Sequence, residues 1–310
     1  MAVSEPPPGL VRDYPLSRLT TIRTGGSAEL FARVGSVGQL ERLLAWAAAE
    51  TVAVGIVGSG SNLLVADEGF QGLVLKLDRG LSAIDCNGAR VRCGGGARLP
   101  AVAAAAASAG LGGIEFAVNI PGTVGGAVRM NANAYGGTLT DVLEWVDVTD
   151  AGGTARRQSD QLAFAYRSSN LRAGQVVAQA CFGLEPTEPA RVRARLAELR
   201  GLRKEAQPSG IKTFGSTFKN PAPDDPLAAG RTAGQLLDAA GCRGLRVGGA
   251  GFSGKHANFV ENRGTATTAD VVALIVEGRR RVEAAFGVEL EPEVQALGPV
   301  RLPDDWTVAR

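Results

Sequence analysis

The 310-residue chain is 45% hydrophobic and 21% charged, which is typical of a globular protein with room for two or three domains. Its formal net charge of +2 gives no general reason to expect nucleic acid or an anionic membrane as a partner. Four widely spaced cysteines without a C-x-x-C pair argue against a zinc ribbon or a disulfide scaffold, and the single histidine, His256, excludes histidine metal clusters. We therefore expect no metal site.

The N-terminal residues 1–13 are rich in proline and predict a flexible tail. They contain no apolar run of the kind found in secretory signals, so we expect a cytoplasmic protein. The longest uncharged run, Leu99–Ile114, is short of a membrane span and ends in glycines. It is typical of a buried helix with a glycine stop.

Three folded regions follow in chain order. Residues 14–78 predict a small α/β subdomain, in which a helix starts near Ser36 and a strand reads "TVAVGIVG". Residues 79–204 predict strands, the helix Leu99–Ala109 and a basic helix, Ala190–Lys204. Residues 205–301 predict a third region that ends in a capped helix and the strand "VELEPEVQALG", and residues 302–310 predict a second tail.

Two glycine-rich segments are candidates for ligand binding. Gly58–Asn62, "GSGSN", follows a strand and suits either a phosphate or a tight hairpin turn. Leu63 takes the place of the third glycine of a Rossmann motif, and no helix follows, so that motif is disfavoured. Gly113–Gly137, "GIEFAVNIPGTVGGAVRMNANAYGG", suits backbone that lies against a planar ligand, with main-chain donors free of side chains at "IPGTVGG", or a structural loop.

Three polar clusters are candidates for chemistry. Arg167 in "FAYRSSNL" could bind a carboxylate, stabilise an oxyanion or form a surface salt bridge. Ser216 in "GSTFKNP" could donate a proton or satisfy the backbone of a turn. Glu291 and Glu293 in "LEPEV" would share one face of a strand, where a carboxylate could serve a site or be solvated.

Together these segments resemble the UDP-N-acetylenolpyruvoylglucosamine reductase (MurB) family. The resemblance extends from Thr20 to Gly298, and its motifs, which also include "AGQLLDAAGCRG" and "KHANFVEN", occur in the family's order. It implies an α+β fold: a two-subdomain FAD-binding domain of the vanillyl-alcohol-oxidase (PCMH) type, followed by a C-terminal α+β substrate-binding domain. The short interval between "FAYRSSNL" and "GSTFKNP" lacks the tyrosine-bearing loop of one branch and implies a type II enzyme.

The resemblance also implies an activity. Members use NADPH and FAD to reduce UDP-N-acetylglucosamine enolpyruvate to UDP-N-acetylmuramate in peptidoglycan synthesis, with hydride from flavin N5 and a proton from a serine. The implied catalytic residues are Arg167, Ser216 and Glu293. Serine is a poor acid, so a cation must assist it, and Arg167 and Lys219 are both candidates. Gln295 stands where a basic residue is common in relatives.

The remaining expectations concern ligands. The implied FAD-binding residues are Gly58, Ser59, Gly60, Ser61, Asn62, Asn119, Pro121, Gly122, Gly125 and Gly126. Expected substrate contacts are Tyr166, Lys219, Asn220 and Lys255. FAD should be non-covalent, because Ile22–Leu30 holds no histidine for attachment, and we expect a monomer. Two alternatives stay open: another flavin oxidoreductase on the same fold, or a UDP-sugar-binding protein without redox activity.

Overall fold

The computed structural model describes residues 6–300, and these residues form two compact units. The first unit contains the described residues up to Arg12, then Leu30–Ser59 and Gly72–Arg203. The second contains Asp13–Glu29, Gly60–Gln71 and the described residues from Lys204 onward.

The regular elements are numbered in chain order. The helices are α1 Val37–Ala49, α2 Leu99–Ser108, α3 Val124–Arg129, α4 Pro189–Ala206, α5 Ala233–Ala239 and α6 Thr268–Phe286. The strands are β1 Val11–Pro15, β2 Ser27–Val34, β3 Val54–Ile56, β4 Leu63–Val65, β5 Phe70–Leu77, β6 Ile84–Asn87, β7 Arg90–Gly94, β8 Leu111–Gly112, β9 Asn133–Ala134, β10 Gly137–Thr138, β11 Leu143–Asp150, β12 Gly153–Gln158, β13 Val176–Gly183, β14 Glu185–Pro186, β15 Arg246–Val247, β16 Ala250–Phe252, β17 Val260–Asn262 and β18 Gln295–Leu297.

A four-stranded sheet in the order β1-β2-β5-β3 is accompanied by α1. The strands β3 and β5 pair in parallel, with Val54 opposite Leu73. The predicted helix start is confirmed, because the Ser36 hydroxyl caps α1 by accepting the Gln39 N–H at 3.3 Å. The apolar residues of α1 recur at helical spacing and are buried in one core with the sheet.

The largest sheet of the first unit is antiparallel, in the order β12-β11-β13-β7-β6. Its core also takes in apolar residues of α2, α3 and α4. Helix α2 begins with Pro100 in its first turn, where the missing N–H has no intrahelical partner to lose, and it is followed by Gly110 at φ +68°. The short pairs β8–β14 and β9–β10 belong to the same unit.

The second unit joins segments that are far apart in the chain. It contains the sheet β15-β16-β17, the parallel pair β4–β18, and the helices α5 and α6. Helix α6 has a capping box between Thr267 and Asp270 and ends at Gly287 with φ +70°. The carboxylate of Asp67 accepts the N–H groups of Thr268 and Ala269 at 2.8 and 3.0 Å. These bonds attach the segment after β4 to the start of α6.

Several expectations need correction. The predicted flexible tail 1–13 is wrong at residues 11–13, which belong to β1; residues 1–5 and the predicted tail 302–310 lie outside the described residues. The division into units departs from the predicted consecutive regions, because 14–29 and 60–71 join the C-terminal segment. "GSGSN" is not a hairpin turn, since β3 and β4 lie in different sheets. The last strand spans only Gln295–Leu297.

Candidate functional site

The first unit contains a glycine-lined cleft of about 550 Å³, a volume that includes the solvent at its mouth. It lies between the end of β3, the turn after β7, the start of α3 and the start of β13. Its lining residues are Ile56, Val57, Gly58, Leu77, Gly95, Gly96, Thr123, Gly125, Gly126, Arg129, Leu171, Gln175, Val176 and Val177. Both glycine-rich segments of the sequence analysis therefore contribute to one concave surface, "GSGSN" through Gly58 and "IPGTVGG" through Thr123, Gly125 and Gly126.

The glycines of the cleft are of two kinds. A Cβ on Gly58 would overlap the Thr123 hydroxyl, and one on Gly95 would overlap the Val177 carbonyl, so chain packing itself requires these glycines. A Cβ on Gly126 would lie 3.6 Å from the Thr123 hydroxyl, in ordinary contact. Gly122 precedes the lining residue Thr123 and is not itself in the lining, and a Cβ there would lie 3.7 Å from the Ile120 side chain. Neither has a positive φ. The protein alone gives no steric reason for glycine at 122 and 126.

The main-chain donors expected at "IPGTVGG" are partly used inside the fold. The N–H of Val124 donates to the Ala97 carbonyl at 2.9 Å, and the N–H of Gly125 donates to the Gly95 carbonyl at 2.8 Å. The expectation of free donors is therefore wrong at these two positions. The reason is that the start of α3 completes its hydrogen bonds with the turn after β7.

A side-chain bond joins the two glycine segments. The Ser59 hydroxyl donates to the Pro121 carbonyl at 2.5 Å. In the second unit, Gly60 has φ +64°, and its carbonyl accepts the N–H and the hydroxyl of Thr21 at 3.0 and 3.1 Å. A side chain at position 60 would also overlap the Leu19 carbonyl. The tight backbone of "GSGSN" thus depends on glycine at both 58 and 60.

Two cations were missed by sequence reasoning: Arg129, which lines the cleft, and Lys76, which is bonded to the lining residue Gly58. Lys76 donates its ammonium to the Gly58 carbonyl, and burial, followed by the nearby Arg33 guanidinium, lowers the pKa of Lys76. Arg129 donates to the carbonyls of Leu171 and Gln175 at 3.1 and 2.8 Å, and burial lowers its pKa. The available signal was a charged residue inside an apolar run, "LVLKL" and "GGAVRM".

Arg167 lies at the tip of a two-residue turn. Ala165 and Ser168 exchange backbone N–H to carbonyl bonds at 3.2 and 3.1 Å, which leaves Tyr166 and Arg167 at the tip. Tyr166 is 47% exposed, and the Arg167 guanidinium lies 5.1 Å from the centre of its ring. The Arg167 Nη1 donates to Asn133 Oδ1 at 3.0 Å. Asn133 and Asn131 were noted in the sequence only as part of the glycine-rich segment.

Ser216 lies in an extended segment of the second unit that is held on both sides. Ser216 forms a backbone bridge with Phe259, and the N–H of Thr217 donates to the Asn258 carbonyl at 2.8 Å. On the other side, the N–H of Glu293 donates to the Thr217 carbonyl at 2.8 Å. The structure therefore brings the Ser216 segment and the Glu293 segment together.

The backbone at Glu293 is fixed by two side-chain amides. Asn62 Nδ2 and Gln295 Nε2 each donate to the Glu293 carbonyl at 3.1 Å. The N–H of Gln295 also donates to the Asn62 carbonyl at 3.1 Å. Asn62, predicted as a cofactor residue, is thus also a support for the predicted catalytic glutamate. The Glu291 side chain is exposed and forms an ion pair with the ammonium of Lys219.

The other predicted residues have structural contacts of their own. The Asn119 amide donates to the Leu199 carbonyl at 2.6 Å, and Asn220 Oδ1 accepts the N–H of Ala233 at 3.1 Å at the start of α5. Lys255 donates to the Lys204 carbonyl at 2.8 Å. His256 Nδ1 accepts the N–H of Asn258 at 3.2 Å, and burial, with Arg243 nearby, lowers the pKa of His256.

Two absences hold for residues 6–300. No helix in this range is both long and apolar enough to cross a membrane. Within the same range, no three side chains of His, Cys, Asp or Glu come together in a way that could hold a metal ion.

Known proteins resemble this chain over most of its length. Residues 28–159 match the sequence profile of an FAD-binding domain, and residues 207–297 match that of the C-terminal domain of UDP-N-acetylenolpyruvoylglucosamine reductase. The reductase of that name from Acidiphilium cryptum is 43% identical over 92% of this chain and 90% of its own length. UDP-N-acetylenolpyruvoylglucosamine reductase 2 from Symbiobacterium thermophilum is 42% identical over 94% of this chain and 93% of its own.

A solved structure agrees with these matches. The crystal structure of UDP-N-acetylenolpyruvylglucosamine reductase (MurB) from Thermus caldophilus has a TM-score of 0.79 and 36% identity, over 93% of this chain and 98% of that chain. The predicted α+β fold with an FAD-binding domain is confirmed. The chain belongs to the UDP-N-acetylenolpyruvoylglucosamine reductase family.

Proposed function

We propose that this chain reduces the enolpyruvyl group of UDP-N-acetylglucosamine enolpyruvate to UDP-N-acetylmuramate, with NADPH as the electron source. The observation that carries the proposal is the family relationship itself, at 43% identity over 92% of the chain. All three residues expected to be catalytic, Arg167, Ser216 and Glu293, are present in the chain. An FAD-binding domain is part of the same chain, which makes it a flavin-dependent oxidoreductase.

The cleft of the first unit fits FAD. Gly126 lines the cleft and leaves room there that a Cβ would fill, and packing within the chain does not require glycine at this position. We propose that the segments "GSGSN" and "IPGTVGG" hold the cofactor, with Gly58, Ser59, Pro121, Gly122 and Gly126 among its contacts. Arg129 in the cleft lining, and Lys76 beside it at Gly58, are half-buried cations that add positive charge suited to a diphosphate. When bound, FAD supplies hydride-transfer chemistry.

Arg167 is proposed to stabilise the charge that develops on the substrate. Adding a hydride to one carbon of the enol ether leaves negative charge on the neighbouring carbon and on the carboxylate. A guanidinium presents a planar set of donors to a carboxylate and stabilises such charge before it forms. The turn that holds Arg167 at its tip supports this role, because the residue there is only half-buried and its Nη1 is already oriented by Asn133.

Ser216 is proposed to deliver the proton to that second carbon, which completes the reduction. The two-sided backbone support of its segment favours a fixed hydroxyl. Glu293 is proposed to act beside it, and its backbone bond to Thr217 supports this pairing. Lys219 and Arg167 are the two candidates for the cation that makes Ser216 a better acid. Lys219 is paired with Glu291, so its role would require it to exchange partners.

Tyr166, Lys219, Asn220 and Lys255 are proposed to contact the sugar nucleotide. Tyr166 offers an exposed ring, and Lys255 has an ammonium whose acceptor is only a main-chain carbonyl. A phosphate would be a stronger partner for that ammonium than the carbonyl is. We also propose a cytoplasmic monomer, which light scattering and cell fractionation would test.

The test is NADPH oxidation by the purified, FAD-loaded protein, with and without UDP-N-acetylglucosamine enolpyruvate. We expect one NADPH consumed per substrate. If the sugar nucleotide binds but no NADPH is consumed, the chain is a binding protein. If NADPH is consumed at the same rate with and without this substrate, the chain is a different flavin oxidoreductase.

A further inference from the structure

The backbone of Arg167 adopts a conformation that is energetically unfavourable for an arginine. Its φ is +55°, in the left-handed region, whereas a residue at the third position of a turn with positive φ is usually glycine or asparagine. A strained backbone persists only where the surrounding structure holds it, and such positions cluster at functional sites. The contacts around the turn should therefore reveal what holds it.

The tip of the turn is held by Asn133. Its Oδ1 accepts a hydrogen bond from Arg167 Nη1 at 3.0 Å. Asn133 is half-buried and belongs to β9, whose backbone pairs with β10 through Thr138. Because Arg is only a donor, the oxygen of the amide must face it. The acceptor therefore belongs to a short side chain on a paired strand, so its position is well defined.

The base of the turn is held by Asn131. Asn131 Nδ2 donates to the Ala165 carbonyl at 3.2 Å, and its Oδ1 accepts the Thr140 hydroxyl at 2.7 Å. Ser169, just after the turn, donates its hydroxyl to the Arg129 carbonyl at 2.8 Å. Both ends of the turn are thus fastened to the segment that runs from α3 to β9.

We propose that Asn133 is a positioning residue that sets the guanidinium of Arg167 for the reaction, with Asn131 fixing the turn beneath it. This inference rests on the proposed function of Arg167. A neutral amide oxygen aligns the guanidinium and leaves its positive charge intact. A carboxylate in the same place would neutralise that charge. The asparagines of the glycine-rich segment therefore serve the arginine motif and not only the cofactor cleft.

A double-mutant cycle tests the proposal. Asn133→Ala, Arg167→Ala and the double variant are compared with the unmodified, FAD-loaded enzyme. If Asn133 acts through Arg167, Asn133→Ala lowers kcat and the single-turnover rate about 10- to 100-fold when Arg167 is present, with KM changed less than about threefold. In the Arg167→Ala background the same change lowers the single-turnover rate less than about twofold. Asn87→Ala, an exposed asparagine in β6, is the matched control and leaves kcat unchanged.

A merely structural role gives a different pattern. Asn133→Ala would then lower the rate by the same factor in both backgrounds, or lower Tm and the FAD content, and the proposal would be overturned. Crystal structures of the unmodified protein and Asn133→Ala provide a readout that needs no activity. We expect the guanidinium to move or become disordered in the variant. An unmoved guanidinium overturns the positioning role, whereas an ordered shift in a protein that ignores the sugar nucleotide would point to failure of the proposed function instead.

Discussion

Substituting Gly126 by alanine should separate cofactor binding from stability. Gly126 lies in the first turn of α3 with a negative φ, and the added Cβ would be 3.6 Å from its nearest atom, the Thr123 hydroxyl. Because alanine loses less backbone entropy than glycine in a helix, the apoprotein should gain about 0.5–1 kcal/mol. For a chain of this size, that gain raises Tm by about 2 °C.

The same methyl group enters the cleft that we assign to FAD. Forcing one extra carbon into a closely packed contact costs about 1–3 kcal/mol. Since 1.4 kcal/mol is tenfold in affinity, the dissociation constant of FAD should rise by about 5- to 150-fold. Titration of the apoprotein with FAD, followed by flavin fluorescence, measures this change, and thermal unfolding of the same samples measures Tm.

Gly201→Ala is the control for this pair of effects. Gly201 lies inside α4, with nothing within 4 Å of the added Cβ, so this variant should gain about 1 kcal/mol without any change in FAD affinity. If Gly126→Ala binds FAD within about twofold of the unmodified protein, the cofactor does not approach this glycine. The assignment of the "IPGTVGG" segment to FAD would then be refuted.

Three further predictions concern the second unit. Ser216→Ala should keep the reduction of the flavin by NADPH but lower substrate turnover by about 10²–10⁴-fold in stopped-flow experiments, and equal loss of both half-reactions would count against proton donation. Glu293→Ala should likewise spare the first half-reaction, so normal turnover in this variant would remove Glu293 from the site. Burial lowers the folded-state pKa of His256 below that of the unfolded chain, so the unfolded state binds more protons as pH falls below about 6.5. The free energy of unfolding should therefore fall from pH 7 to 5. Urea titrations at each pH should show a smaller fall for His256→Gln, whereas a fall of the same size would contradict this account.

Local elements could be predicted well from the sequence. The start of α1 at Ser36 and the capping box of α6 depend on residues within one or two turns, so their signals are complete within a short window. Gly287, just after α6, is a stop signal of the same local kind. The family motifs likewise marked both glycine-rich segments of the cleft.

Long-range arrangements could not be predicted. The pairing of Leu63–Val65 with Gln295–Leu297, and the bond from Asn262 to the Ile22 carbonyl at 2.8 Å, join residues more than 200 positions apart. No local pattern carries information on such a partner. For the same reason, the assignment of residues 13–29 and 60–71 to the second unit was missed. The hydrogen bonds of Asn131 and Asn133 to the Arg167 turn were missed because they, too, are contacts across 34 positions.

The interlaced composition of the second unit has a consequence for protein synthesis. Residues 13–29 and 60–71 leave the ribosome early, but β18, the strand that pairs with β4, is made only after residue 294. The apolar residues Ile22 and Leu64 must therefore stay without their final core until nearly the whole chain has been translated. The first unit draws most of its residues from 30–59 and 72–203 and can begin to fold sooner. We expect the nascent chain to need chaperone protection at its N-terminal segments, and not at the residues that leave the ribosome last.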